Sequence, residues 1–202
     1  MNNQVVRVIA GAVLGSLATL VILQRRRRRR ERPEVGKRLI FLDLDGVVNR
    51  TKRADQIILA PDLVAKLRLI VERGGAGGVQ IVLSTFWKPF DCYIAYALSR
   101  QGLDGSVVVR STPGRSKSTV IQFSSASHLL HTEAFDDLEV FETRAAEIRL
   151  FLSRHPQVEH FVILDDRLDA ADGDDLLPHF VRTDPGVGLT DDHVEKALAL
   201  LR

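Results

Sequence analysis

The chain has 202 residues, 45% of them hydrophobic and 27% charged, which is the balance of a globular domain long enough to bury a core. Its single cysteine, Cys92, excludes an intramolecular disulfide and reads as a buried free thiol. The net charge of +2 is unevenly spread: eight arginines against Glu31 give residues 1–32 a charge of +7, so 33–202 sum to −5, and the basic character marks no nucleic-acid groove in the body.

Val5 to Leu23 is almost wholly apolar. At 1.5 Å rise per residue a helix of this length crosses a hydrocarbon core of roughly 30 Å. The stretch predicts a transmembrane helix over about 5–23, and Arg25 to Arg30 with Arg32 form a basic juxtamembrane run. The rival is a cleaved targeting peptide, which expects its positive charge before the apolar stretch and a small-residue cleavage site after it. The positive-inside rule puts the arginine side, and with it the domain 33–202, in the cytosol. The endoplasmic reticulum, the mitochondrial outer membrane and a bacterial inner membrane all suit such an anchor. Gly11 and Gly15 form a G-x-x-x-G pair through which two anchors could meet as a homodimer. The arginines also suit anionic headgroups.

After a linker broken by Pro33 and Gly36, Leu39 to Leu42 reads as a buried strand ending in Asp43. Pro61 to Arg73 opens on proline and repeats Leu63, Leu67 and Ile70, the pattern of an amphipathic helix stopped by the glycines of 74–78. Val79 to Leu83 is a second apolar strand, ending in Ser84 and Thr85. Asp91 to Arg100 reads as a helix and Ser106 to Val109 as a strand, while 110–139 reads as loops and a small insert or lid. Phe141 to Arg154 predicts a helix, His160 to Leu164 a strand ending in Asp165 and Asp166, and Phe180–Val181 a short strand. Thr190 caps a last helix running through Leu201. Strands alternating with helices predict an α/β fold with an open parallel sheet, whose ligands bind beyond the carboxyl ends of the strands. Asp43, Ser84 and Asp165 all stand at such ends.

Asp43 and Asp45 are two residues apart, and Gly46 lets the chain turn behind them. Two carboxylates in one pocket repel, so they take a cation or one of them is protonated. Mg²⁺ suits carboxylate and phosphate oxygens. One carboxylate can then attack phosphorus while the other protonates the leaving group.

The segment Phe41 to Asn49 resembles the first motif, D-x-D-G, of haloacid dehalogenase-like (HAD) phosphatases. Ile81 to Thr85 is similar to their second motif and Phe161 to Asp166 to their fourth, in the same order. Trp87, Lys88, Arg144 to Ile148, and Gly188 to Thr190 further resemble the subgroup of these domains in Swiss Army Knife-type, multi-domain RNA repair proteins. That subgroup usually shows Ser-Ser-x-Trp-Arg where this chain has Ser84, Thr85, Phe86, Trp87 and Lys88, a departure that leaves the role of Lys88 open. The resemblance implies a three-layer, Rossmannoid sheet over 33–202 with little or no cap, since only 38 residues separate Asp45 from Ser84. By resemblance Asp43 is the nucleophile and Asp45 the acid and base, with a backbone carbonyl on Mg²⁺. Ser84, with Thr85 as its understudy, meets the phosphoryl oxygens, and Lys88 is a further substrate-binding candidate. Asp165 joins Asp43 as a metal ligand, with Asp166 as a further ligand or as its support. Arg144 is the first candidate for the cation of the third motif and Lys117 the second. Trp87 reads as core before it reads as a substrate platform, and His128 and His131 as loop residues.

The implied activity is a membrane-tethered, Mg²⁺-dependent phosphomonoesterase. An open site suits a bulky substrate: a phosphoprotein, a nucleic-acid end or a lipid-linked phosphate. The rivals are a non-catalytic membrane-tethered scaffold and a nucleic-acid end-processing phosphatase, against which the −5 body weighs.

Overall fold

Five short runs rich in apolar residues lie side by side as parallel strands. The computed structural model describes residues 33–51, 56–116 and 140–202, and within it Val35–Arg202 forms one compact unit. The strands are β1 (Arg38–Leu42), β2 (Gln80–Leu83), β3 (Val108–Ser111), β6 (His160–Asp165) and β7 (Phe180–Arg182), in the order β3-β2-β1-β6-β7. Every neighbouring pair is parallel. The central strand β1 pairs Leu42 with Leu83 on one side and with Leu164 on the other. A second, two-stranded sheet joins β4 (Arg115–Ser116) to β5 (Val140–Phe141), also in parallel.

Strand alternation sorts the core into two layers. Ile40, Leu42, Ile81, Leu83, Val162 and Leu164 face the helices α1 (Pro61–Arg73), α2 (Asp91–Ser99) and α4 (Asp191–Leu201). Leu39, Phe41, Val82 and Ile163 face α3 (Arg144–Ser153) on the other side. Helices on both faces of a parallel sheet are the three-layer arrangement expected from the alternation of elements. Phe41 fixes α3 by edge-on contact with Phe151 at 5.5 Å, and it meets Phe161 at 5.8 Å.

Three expectations need correction. The helix expected from Phe141 starts at Arg144, because Phe141 is spent on β5 and the Thr143 side chain accepts the first free amide, from Ala146 at 3.3 Å. The strand expected at Ser106 starts at Val108, since Asp104 caps a 3₁₀ turn over Gly105–Val107. Cys92 is exposed rather than buried, lying on α2 where Ile94 and Leu98 are the inward residues. Among the described residues no helix is long and apolar enough to cross a membrane. The anchor expected over 5–23, Lys117, His128 and His131 lie outside the described residues, as does most of the expected lid.

Candidate active site

The strand ends are stitched together one residue beyond the sheet. Asp43 N donates to Leu164 O (3.0 Å), Ser84 N to Leu42 O (2.8 Å), Thr112 N to Leu83 O (2.9 Å) and Thr183 N to Asp165 O (3.0 Å). The chain therefore delivers Thr112, Ser84, Asp43, Asp165 and Thr183 in a row across the carboxyl edge, where open α/β sheets bind ligands.

Asp43, Asp165 and Asp166 offer carboxylate oxygens that all lie within 4.8 Å of one another. Arg144, at the first turn of α3, reaches this cluster from the opposite layer. Its Nη1 donates to Asp43 Oδ2 at 2.7 Å and also to Asp165 Oδ2. All three side chains of that bridge are buried. Burial works against the Arg144 charge, but the carboxylates of Asp165 and Asp43 outweigh it and hold the guanidinium well above its usual range. Burial pushes the Asp165 carboxyl up to about 8 against the pull of Arg144, and the Asp43 charge adds to the push. Asp166 rises to about 6, chiefly through burial and then through Asp43.

Three carboxylates against one guanidinium leave an excess of negative charge in a dry place, and the two raised carboxyls are its signature. A hard divalent cation fits this all-oxygen donor set, since it would neutralise what Arg144 leaves over.

Asp45 is held beside the cluster but is not part of it. Asn49 Nδ2 donates to Asp45 Oδ1 at 2.7 Å and Trp87 Nε1 donates to Oδ2 at 3.2 Å. Asn49 also accepts from Gly46 N at 3.0 Å, so one amide fixes both the turn and the carboxylate. Gly46 takes φ +72°, and Thr183 Oγ1 donates to its carbonyl at 2.8 Å. Trp87 is buried in the core, as expected, but its indole N–H serves Asp45.

The Ser84 hydroxyl is buried and has no hydrogen-bond partner among the described residues. Such a group is uncommon and suits an oxygen brought in by a ligand. Thr85 is different: its Oγ1 accepts from Trp87 N within its own turn, at 3.4 Å. Lys88 is engaged in a buried network. Its buried ammonium pairs with Glu147 and donates to Thr112 Oγ1 at 3.1 Å. Thr112 in turn donates to Glu147 Oε2 at 2.8 Å.

The structure thus brings together Asp43, Arg144, Asp165 and Asp166, sets Ser84 and Asp45 alongside, and places Lys88 in a buried support. Asn49, Thr112, Glu147 and Thr183 went unassigned in the sequence reading. Asn49 and Glu147 lie inside segments that carry the family resemblance, Phe41 to Asn49 and Arg144 to Ile148, whereas Thr112 and Thr183 carry no such signal.

No curated protein and no solved structure matches this chain. One family does, over residues 39–194, and its description is "HAD domain in Swiss Army Knife RNA repair proteins". The match runs through every element that builds the carboxyl-edge site, and the chain belongs to that HAD domain family.

Proposed function

We propose that this protein is a Mg²⁺-dependent phosphomonoesterase that works through an aspartyl-phosphate on Asp43 and is tethered to a membrane by residues 5–23. The observation that carries the reading is the meeting of Asp43, Arg144, Asp165 and Asp166 at the carboxyl ends of β1 and β6. HAD domains are generally hydrolases and phosphatases, which agrees. The tether rests on the apolar stretch and the arginines behind it.

Asp43, Asp165 and Asp166 would hold the cation, with the Asp45 carbonyl as a further ligand by family resemblance. When bound, Mg²⁺ supplies charge neutralisation for the phosphoryl oxygens. The Asp43 carboxylate attacks phosphorus as the bond to the leaving oxygen breaks, and Asp45 gives that oxygen its proton. Asp45 then takes a proton from water as the water attacks the aspartyl-phosphate, which releases phosphate and restores Asp43. Asn49 and Trp87 orient Asp45 for both transfers. Arg144 orients Asp43, and the Ser84 hydroxyl donates to a phosphoryl oxygen. Asp45 separates this chemistry from that of dehalogenases, which by family resemblance lack the second acid.

The test is hydrolysis of an aryl phosphate by the full chain. Turnover that needs Mg²⁺, stops with a chelator and drops to background in Asp43→Asn is expected. Full activity in Asp43→Asn would overturn the reading. The family description favours one second reading, in which the substrate is a phosphorylated RNA end. The cationic contact would then come from Arg25 to Arg32, since the body is acidic. Replacing those arginines should abolish RNA binding, and unchanged binding counts against it.

A further inference from the structure

Beside the carboxylate cluster lies a cleft of about 890 Å³, with Asp166 in its wall. The nucleophile loop forms its rim: a Cβ on Gly46 would stand 2.9 Å from Asp166 Cβ and 3.0 Å from Pro185 Cα. Three guanidiniums line the cleft, Arg50 from the loop after β1, Arg167 from the turn after β6 and Arg182 from the end of β7. Three carboxylates line it too, and each already has work to do. Asp166 belongs to the cluster, Asp169 holds Arg167 at 3.0 Å, and Asp184 accepts from Gly186 N at 2.7 Å.

Arg182 is the exception among the arginines. Its Nε donates to the backbone carbonyl of Asp166 at 3.2 Å, and among the described residues no carboxylate pairs with it. Its charge is therefore held next to a candidate cation ligand, with no carboxylate among the described residues paired to it. Arg50 pairs with Asp62 in an exposed bridge, the kind that is worth little and exchanges readily. A single phosphate at Asp43 would leave this volume and these guanidiniums unused.

We infer that the cleft is a subsite for a second phosphate on the same substrate, gripped by Arg182 and Arg50 while the scissile phosphate sits at Asp43. This rests on the phosphatase reading above. Guanidinium and phosphate match as paired donors and acceptors, and the cleft has room for the skeleton joining two phosphates. A nucleotide or a sugar could supply that skeleton.

The experiment compares kcat/KM of the full chain, with Mg²⁺, on two pairs: adenosine 3′,5′-bisphosphate against adenosine 5′-monophosphate, and fructose 1,6-bisphosphate against fructose 6-phosphate. The bisphosphate should be favoured by about 10- to 100-fold in at least one pair. Preference in the adenosine pair alone marks a nucleotide as the source, and preference in both marks the phosphate itself. Arg182→Ala and Arg50→Ala should each move the ratio toward one, with Arg182→Lys keeping part of it. Equal kcat/KM within both pairs, or a ratio unchanged by both alanine variants, overturns the subsite. Failure to hydrolyse even an aryl phosphate would instead count against the phosphatase reading. Calorimetric binding of adenosine 3′,5′-bisphosphate then decides the subsite: a roughly tenfold loss in Arg182→Ala supports it, and an unchanged Kd overturns it.

Discussion

Gly46 does two jobs that no other residue type does in that place. Its φ of +72° is one that side chains rarely adopt, and an added Cβ would strike backbone at Pro185. The second contact, with Asp166, is to a candidate cation ligand. Gly46→Ala should therefore destabilise the fold by about 1–3 kcal/mol and lower turnover more than it lowers stability. Urea unfolding beside aryl phosphate hydrolysis separates the two effects, and a variant of normal stability and activity would contradict this account. The D-x-D-G signal made Asp43, Asp45 and Gly46 legible in advance because their roles are local. Arg144 was legible for a weaker reason, its place on the helix before β6. Its double contact with Asp43 and Asp165 spans 101 and 21 residues of chain, a pairing that no local pattern encodes.

At the scale of elements, α3 is held from two sides. Phe41 packs against Phe151 in the apolar layer, and Lys88 reaches Glu147 from the loop after β2. Glu147 sits three residues after Arg144, so the same turn of helix carries the support and the guanidinium that it supports. Removing one partner strands a buried charge, which costs about 3–5 kcal/mol, whereas replacing both by apolar residues costs far less. Lys88→Ala and Glu147→Ala should each lose about that much in urea unfolding, and the Lys88→Met/Glu147→Leu double variant should recover most of it. Additive losses in the double variant would rule out a buried pair. The strands of the main sheet, with β3 starting two residues late, and three of the four helices were legible from period and capping, whereas the short β4 and β5 were not. The fourth helix was placed too early, since Phe141 continues the apolar pattern of α3 while pairing in β5. The partners of Lys88 were not legible for the reason that hid Glu147 and Thr112: their meeting is decided by the packing of α3 on the sheet, 59 and 35 residues apart in sequence.

Over the whole molecule, the carboxylate cluster ties stability to pH and to metal. Asp165 and Asp166 keep their protons in the fold up to about 8 and about 6, but lose them near the ordinary 3.8 when unfolded. Between those values the folded state binds more protons than the unfolded one, so stability falls as pH rises. A cation competes with the same protons, so its stabilising effect grows with pH. Thermal melts in chelator should show a lower Tm at pH 8 than at pH 5, and added Mg²⁺ should raise Tm more at pH 8. An equal Mg²⁺ shift at both values would mean that the three aspartates do not hold the ion.

The orphaned Ser84 hydroxyl sets a conflict between durability and use. A buried donor without a partner weakens the resting protein by about 1–3 kcal/mol. Ser84→Ala should thus melt higher than the parent and turn over more slowly, and an inorganic phosphate mimic should stabilise the parent more than the variant. A protein selected only to endure would have alanine there; a serine left wanting marks a place where selection has favoured work over rest.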